Sequence, residues 1–360
     1  MYLGANKLTL GKALRLMLVR WGRFLRIAGV ISDGPGMLLK RMNKFLTVLA
    51  LYLACASMSA IAAVYELPAD GSAVVGTDSR ISLGDQEKLF DVARRFGLGY
   101  PEILRANLGG DIWAPGGTQE ILLPIRRILP PTPYEGIVIN LPEHRLYYYP
   151  TPKAGEKRVV ITYPVSIGRM DWHSPLGVTR IIAKERHPNW YPTESVRAEH
   201  AARGDPLPKV VPPGPKNPLG EYKMRLAVGD GTYEIHGTNN PVAVGLAVTH
   251  GCIRMYPEDV AALFASVPVG TKVWLINEPV KIAYVDGKLL IEVHPPVDRE
   301  CQVAQVDPEV MSRKLRAALG QDTGAIHWEF ARKALETATG VPTVVGLRAH
   351  LEQASVSNAP

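Results

Sequence analysis

Between Ile137 and Val293 the sequence is a succession of short β-branched and aromatic runs broken by turn residues, which excludes a helical architecture for the middle of the chain. Residues 137–140 and 145–149 flank a short turn. Residues 158–167, 178–183, 222–227, 232–236 and 272–277 continue the pattern. Residues 282–284 and 289–293 bracket Asp286-Gly287, a dipeptide suited to the positive φ angles of a two-residue hairpin. Residues 258–265 give the best helical periodicity in this stretch. The expected fold is a mainly β domain over 131–297, a mixed or antiparallel, sandwich-like sheet with a short helix.

Eight prolines fall within the 31 residues from Pro188 to Pro218. Proline lacks an N–H and clashes inside helices, so this stretch is expected to be neither helix nor central strand. It reads as a long loop over a binding site. Upstream, Leu89, Val92, Ala93 and Phe96 share one helical face behind a possible cap at Asp85, and Gly97–Gly99 closes that helix. Pro101 opens a second short helix through Asn107 with Ile103 and Leu104 inward, and residues 120–123 read as a returning strand. Pro130, Pro131 and Pro133 then form a stiff linker. Downstream of residue 298, two amphipathic stretches (311–319 and 326–337) precede a polar tail, so 298–360 is expected to be a helical or partly disordered extension.

The formal charge of +7 suggests nucleic acid until it is divided along the chain. Residues 1–62 hold nine Lys or Arg and one acid, leaving −1 on the other 298 residues. The body therefore carries no basic footprint, and a nucleic-acid partner is excluded. Lys40, Arg41 and Lys44 precede 12 uncharged residues from Phe45 to Ala56 and a small-x-small site at Ala60-Ile61-Ala62. This is the pattern of a secretory signal peptide, too short for the ~20 residues that span a bilayer. Met37 and Met42 fit its start better than Met1, and the alternative is a basic membrane-surface helix over 14–30. Cysteines stand at 55, 252 and 301 only, so the exported body is not a disulfide scaffold and a retained thiol at 252 needs a reason.

That reason lies in two segments, Ile235-His236-Gly237-Thr238-Asn239-Asn240 and Thr249-His250-Gly251-Cys252-Ile253-Arg254-Met255. In an extended chain His250, Cys252 and Arg254 share a face. A free thiol is only a few per cent ionised at neutral pH; an imidazole such as His236 can take its proton and a cation can hold the thiolate. Gly251 permits close backbone approach, so the amides of 251 and 252 are candidate oxyanion donors. Two histidines and a cysteine are also a partial zinc set, though without a fourth ligand at metal-like spacing. The same residues also suit a buried structural thiol.

The two segments in this order resemble the signature of the L,D-transpeptidase (YkuD-type) catalytic domain, in particular the periplasmic branch that attaches Braun-type lipoprotein to peptidoglycan. The resemblance spans residues 134–296. It includes Tyr163-Pro164-Val165-Ser166-Ile167-Gly168, Ser174-Pro175-Leu176-Gly177, Pro188-Asn189-Trp190, Pro213-Gly214-Pro215, Asn217-Pro218-Leu219-Gly220 and Glu292-Val293-His294-Pro295-Pro296. Residues 63–130 resemble a LysM-type glycan-binding module plus linker, on Gly84-Asp85, Leu89, Ala93, Phe96, Ile103, Asn107, Pro115-Gly116 and Ile121-Leu122-Leu123-Pro124. Thus 1–62 would be extension and leader, 63–130 the wall-binding module, 131–297 the catalytic domain and 298–360 the extension.

The resemblance implies that Cys252 is the nucleophile and His236 its base, oriented by the carbonyl of Gly237. His250, Gly251 and Arg254 would support the thiolate and the substrate, with Thr249, Asn239, Tyr233 and Trp190 in substrate contact. Arg254 stands where the broader family often has Asn, which bears on subgroup rather than chemistry. The implied enzyme is periplasmic and needs no cofactor or metal. Its thiolate attacks the carbonyl of the third, diaminopimelate residue of a tetrapeptide stem and D-Ala leaves. A lipoprotein lysine or a second diaminopimelate then takes the acyl group, and a carbapenem would acylate the cysteine. The alternatives are an L,D-carboxypeptidase and a non-catalytic peptidoglycan-binding protein.

Overall fold

Apolar alternation builds one large curled sheet. Its strands, in chain order, are β1 (Ala63–Glu66), β2 (Gly136–Asn140), β3 (Arg145–Tyr149), β4 (Val159–Pro164), β5 (Gly177–Arg186), β6 (Tyr222–Leu226), β7 (Glu234–His236), β8 (Ile253–Arg254) and β9 (Lys272–Ile276). The order across the sheet is β1-β4-β3-β2-β9-β5-β6-β7-β8. All neighbours are antiparallel except β2 with β9 and β7 with β8, which run parallel. This computed structural model describes residues 63–84, 87–107, 120–168, 174–229, 232–296, 306–319 and 326–347. The leader segment with Cys55, the cap at Asp85, Pro115-Gly116 and Cys301 lie outside the described residues.

The core is formed where the sheet curls over its own apolar face. Ile137, Ile139, Leu146, Ile181, Met224, Ile235 and Ile253 are buried there. Val260, Leu263 and Phe264 of a helix at Pro257–Ser266 close it. That helix carries Pro at its first position and Glu258 and Asp259 in its first turn, which suits its exposed N–H groups and dipole.

Residues 63–66, expected within the module over 63–130, instead pair as β1 with β4 of the large sheet. Between β1 and β2 lies a strand–helix–helix–strand unit. Its strands Ser79–Ser82 and Glu120–Leu123 pair antiparallel around α1 (Leu89–Arg95) and α2 (Tyr100–Ala106). Leu89, Val92, Ala93, Leu98, Ile103, Ile121 and Leu123 form its own core. Asn107 ends α2 and bridges to the returning strand, its side chain bonding the Ile103 carbonyl (2.7 Å) and both the amide and carbonyl of Leu122 (2.8 and 2.9 Å). The unit is docked by charge. Arg145 of β3, wholly buried, donates to Glu102 at 2.6 Å and to the Gly97 carbonyl at 3.2 Å. Arg94 pairs with Glu258 through two bonds of 2.7 Å. Burial alone would raise the Glu102 pKa, but Arg127 and Arg145 override it and hold the carboxyl at about 2.

Two expectations change. The Pro-rich stretch contains a helix, α3 (Glu194–Ala202), because residues 193–205 hold no proline and Thr193 caps it by accepting from the Val196 amide at 3.4 Å. The hairpin around Asp286-Gly287 forms, with φ of 49° and 71° at the turn, but it does not join the large sheet. Its strands β10 (Val280–Val285) and β11 (Lys288–Val293) pair with β12 (Thr343–Leu347), so a boundary at 297 cuts through a three-stranded sheet. The helix at Pro257–Ser266 is α4; α5 (Pro308–Leu319) and α6 (Trp328–Thr337) bury Met311, Leu315 and Ala331 against Leu289, Ile291 and Val345. The C-terminal stretch therefore contributes a strand as well as helices.

Candidate active site

The strands β5 to β8 have two chemically distinct faces. Met224, Ile235 and Ile253 point into the core. The register aligns Glu185, Lys223, His236 and Arg254 across four neighbouring strands, so these side chains share the other face. Arg225 and Glu234, two positions along, join them. The parallel pairing of Ile235 with Ile253 brings Cys252 up against this polar row.

A cleft of about 480 Å³ lies over it, lined by His236, Thr249, His250, Cys252 and Arg254 from the predicted set, together with Trp190 and Tyr233. Gly237 contributes its carbonyl and Gly251 its turn, at φ 98°. Asn239 does not reach the cleft: its side chain is exposed and donates to the Pro215 carbonyl at 3.2 Å.

His236 is buried, and its Nδ1 lies 2.7 Å from the Gly237 carbonyl oxygen. A carbonyl only accepts, so Nδ1 carries the proton and Nε2 keeps its free lone pair. Burial, aided by the neighbouring Arg254 cation, lowers the His236 pKa to about 3, so the imidazole is neutral at working pH. The Cys252 thiol is half-buried and donates to the Thr232 carbonyl at 3.6 Å. Burial and the Glu234 carboxylate raise its pKa to about 11, against the opposing influence of the Glu234 amide and of Arg254 and Lys223. The resting pair is thus a neutral thiol and a neutral imidazole in one cleft. The thiol bonds the Thr232 carbonyl rather than the imidazole; such bonds between catalytic groups are commonly made only once a substrate aligns them.

Other contacts shape the turn that carries the thiol. Thr249 Oγ1 donates to the Cys252 carbonyl at 2.6 Å, and Ser174 Oγ donates to the Gly251 carbonyl at 2.9 Å. Among the described residues the amides of Gly251 and Cys252 bond no protein acceptor, as oxyanion donors require. No carboxylate among the described residues pairs with the Arg254 guanidinium, whose neighbouring charge is Cys252, and its Nε lacks a hydrogen-bond partner.

The wall opposite the strands comes from the Pro-rich segment, which supplies Asn189, Trp190, Tyr191, Thr193 and Val196. Wholly buried Asn217 ties its ends, donating to the Pro188 carbonyl at 2.8 Å and accepting from the Leu219 amide at 2.9 Å. Glu199 of α3 lies 3.0 Å from His250 Nε2. Sequence reasoning missed Glu199, Lys223, Arg225 and Glu234. Alternation from His236 back to Glu234 would have found the last; the Glu199 contact spans 51 positions and left no local signal.

Away from the cleft, Glu143, Glu292 and His294 bring three ligand-type atoms within 4.8 Å of one another. Lys281 Nζ sits among them, 2.9 Å from Glu143 and 2.7 Å from Glu292, so a side-chain ammonium already supplies the cation.

A thiol and a neutral imidazole with a free Nε2 in one cleft, with two amides that bond no protein acceptor on the thiol's own turn, are the parts of a cysteine acyl-transfer site. Residues 135–275 match the YkuD family, the L,D-transpeptidase catalytic domain. The chain is 36% identical over 321 residues to the probable L,D-transpeptidase YcfS of Escherichia coli K12, covering 87% of this chain and 98% of that protein. It is 38% identical over 290 residues to the probable L,D-transpeptidase YbiS of the same organism, covering 79% and 92%. Against the probable L,D-transpeptidase ErfK/SrfK, also from that organism, identity is 36% over 315 residues, covering 85% and 97%. The chain belongs to the L,D-transpeptidase family and is an enzyme of that class.

Proposed function

We propose that the protein is an exported, periplasmic peptidoglycan L,D-transpeptidase with Cys252 as nucleophile. Nε2 of His236 takes the thiol proton as sulfur attacks the carbonyl of the diaminopimelate residue in a tetrapeptide stem. The amides of Gly251 and Cys252 receive the developing oxyanion. The imidazolium returns its proton to the leaving amine of D-Ala, and the stem remains as a thioester. An amine, from a lipoprotein lysine or a second diaminopimelate, attacks the thioester; His236 takes its proton and the thiol is regenerated. The Arg254 guanidinium, which lines the cleft with its Nε unbonded, offers a substrate carboxylate a partner.

The single observation that carries this reading is the 2.7 Å bond from His236 Nδ1 to the Gly237 carbonyl, which leaves Nε2 as a base in the cleft that holds Cys252. No acidic third member is needed to set the tautomer. The strand–helix–helix–strand unit fits a LysM-like glycan-binding role within 63–130, upstream of a catalytic domain and a C-terminal extension. A carbapenem is expected to acylate Cys252.

Purified protein incubated with a tetrapeptide stem and an amine acceptor tests the proposal by mass spectrometry of the products. Free D-Ala and an acyl-acceptor conjugate are expected, with neither formed by Cys252→Ala. Tripeptide without conjugate would make the enzyme an L,D-carboxypeptidase. No change in the stem would leave a wall-binding protein.

A further inference from the structure

The cleft contains one charged group that the acyl-transfer chemistry does not call for. Glu234 lies two positions before His236 on the same strand face and lines the cleft with Cys252. That face is the polar one, so the carboxylate does not anchor the core; Ile235, on the opposite face, does. Its ion-pair partner Lys223, 3.2 Å away, is shared with Glu185 at 3.3 Å, so two carboxylates divide one ammonium. An anion here works against a nucleophilic thiol: after burial, Glu234 is the largest influence holding the Cys252 proton on. Arg254 from β8 and Lys223 from β6 pull the opposite way, as does the Glu234 amide. Arg225 from β6, the neutral His236 from β7 and His250 on the thiol's own turn also line the cleft, with Glu199 of α3 against His250.

A carboxylate kept beside a thiol that it suppresses makes chemical sense if the substrate brings the matching charge. We propose that Glu234 is a specificity-determining residue that receives a primary ammonium group of the substrate, so that recognition of that group releases Cys252 for attack. The assignment rests on the reading of Cys252 as nucleophile. Lys223, freed from Glu234 by the incoming ammonium, then faces a neighbouring carboxylate, so an amino-acid-like end carrying both groups fits the pair. The ammonium has two chemical sources, the side chain of the donor stem or the acceptor amine, and both are primary amines.

Full-length Glu234→Gln, which keeps size and hydrogen bonding, separates the possibilities. The first readout needs no peptidoglycan: iodoacetamide alkylation of Cys252 from pH 7 to 10, with Cys252→Ala as the labelling control. The variant is expected to react about tenfold faster at pH 8, one unit of thiol pKa. The second readout is single-turnover thioester formation with donor stems carrying a free or an N-acetylated side-chain amine, followed by transfer over a range of acceptor concentrations. If the donor supplies the ammonium, the wild type prefers the free amine about tenfold and the variant loses that preference. If the acceptor supplies it, both proteins acylate alike and the variant's acceptor KM rises about tenfold. Unchanged alkylation, or a variant that keeps both the amine preference and the acceptor KM, overturns the assignment while leaving transpeptidation intact. A wild type that alkylates at Cys252 but forms no thioester with any stem overturns the reading of function itself, and this assignment with it.

Discussion

Replacing His236 with Asn isolates the imidazole's contribution, because the Asn amide still offers an N–H to the Gly237 carbonyl but has no basic nitrogen to take a proton. With the Cys252 thiol held at about 11, only about one site in 3,000 is thiolate at pH 7.5 without help. His236, neutral at all pH values above about 3, removes that penalty by taking the proton during attack. Its loss should therefore slow acylation by about three orders of magnitude, on the order of 4 kcal/mol of barrier. Stopped-flow quenching with intact-mass detection of the acyl-enzyme measures this directly. The variant's rate should climb about tenfold per pH unit from 7 to 10 as hydroxide does the work of the base, whereas the wild type should change far less. A loss smaller than tenfold, or a flat pH profile in the variant, would refute the argument that this imidazole activates this thiol.

Three further perturbations probe the frame around the site. Glu102→Gln removes the counter-charge of buried Arg145 and the nearer one of Arg127, which keeps Glu143 at 4.0 Å, and should cost about 3 kcal/mol in denaturant unfolding at pH 7. Because the folded Glu102 pKa of about 2 lies below its ordinary value, the wild-type advantage is present above about pH 4.5 and fades as pH falls through 2. Asp259 behaves oppositely: burial and Glu258 raise its pKa to about 7, so its contribution to stability is lost as pH rises through that value. Asp259→Asn should raise the melting temperature at pH 8 by a few degrees and change it little at pH 4. Gly220 has φ +66°, and a Cβ there would stand 2.8 Å from the Thr238 amide and 3.3 Å from the Gly237 Cα. Gly220→Ala should displace the carbonyl that orients His236 and lower acylation at least tenfold in the folded fraction; an unchanged rate would show that the carbonyl's position does not matter.

The legible parts of this molecule were the local ones. His250, Cys252 and Arg254 do line one cleft as their spacing suggested, but a bend at His250-Gly251, with Gly251 at φ 98°, replaces the extended strand that alternation assumed, and only Ile253–Arg254 is strand. The helix at Pro257–Ser266 and the turn at Asp286-Gly287 were likewise encoded by residues within a few positions. What escaped depended on distance along the chain. Thr343–Leu347 is rich in β-branched residues, but it joins Lys288–Val293 through a pairing closed across more than fifty residues, and nothing local names that partner. Proline density concealed α3, since the prolines bound a helix without entering it. Asn239 was expected in the cleft from its motif, yet its amide is spent on the Pro215 carbonyl. Glu234 could have been found by alternation from His236, but only the strand register shows that Lys223 shares that face.

The most direct measurement is peptide mapping of the protein trapped with a tetrapeptide stem in the absence of acceptor. The account predicts a thioester on Cys252 equal in mass to the stem less D-Ala, discharged when an amine is added. A stem attached to any other residue, or D-Ala released without Cys252 ever carrying the acyl group, would contradict it.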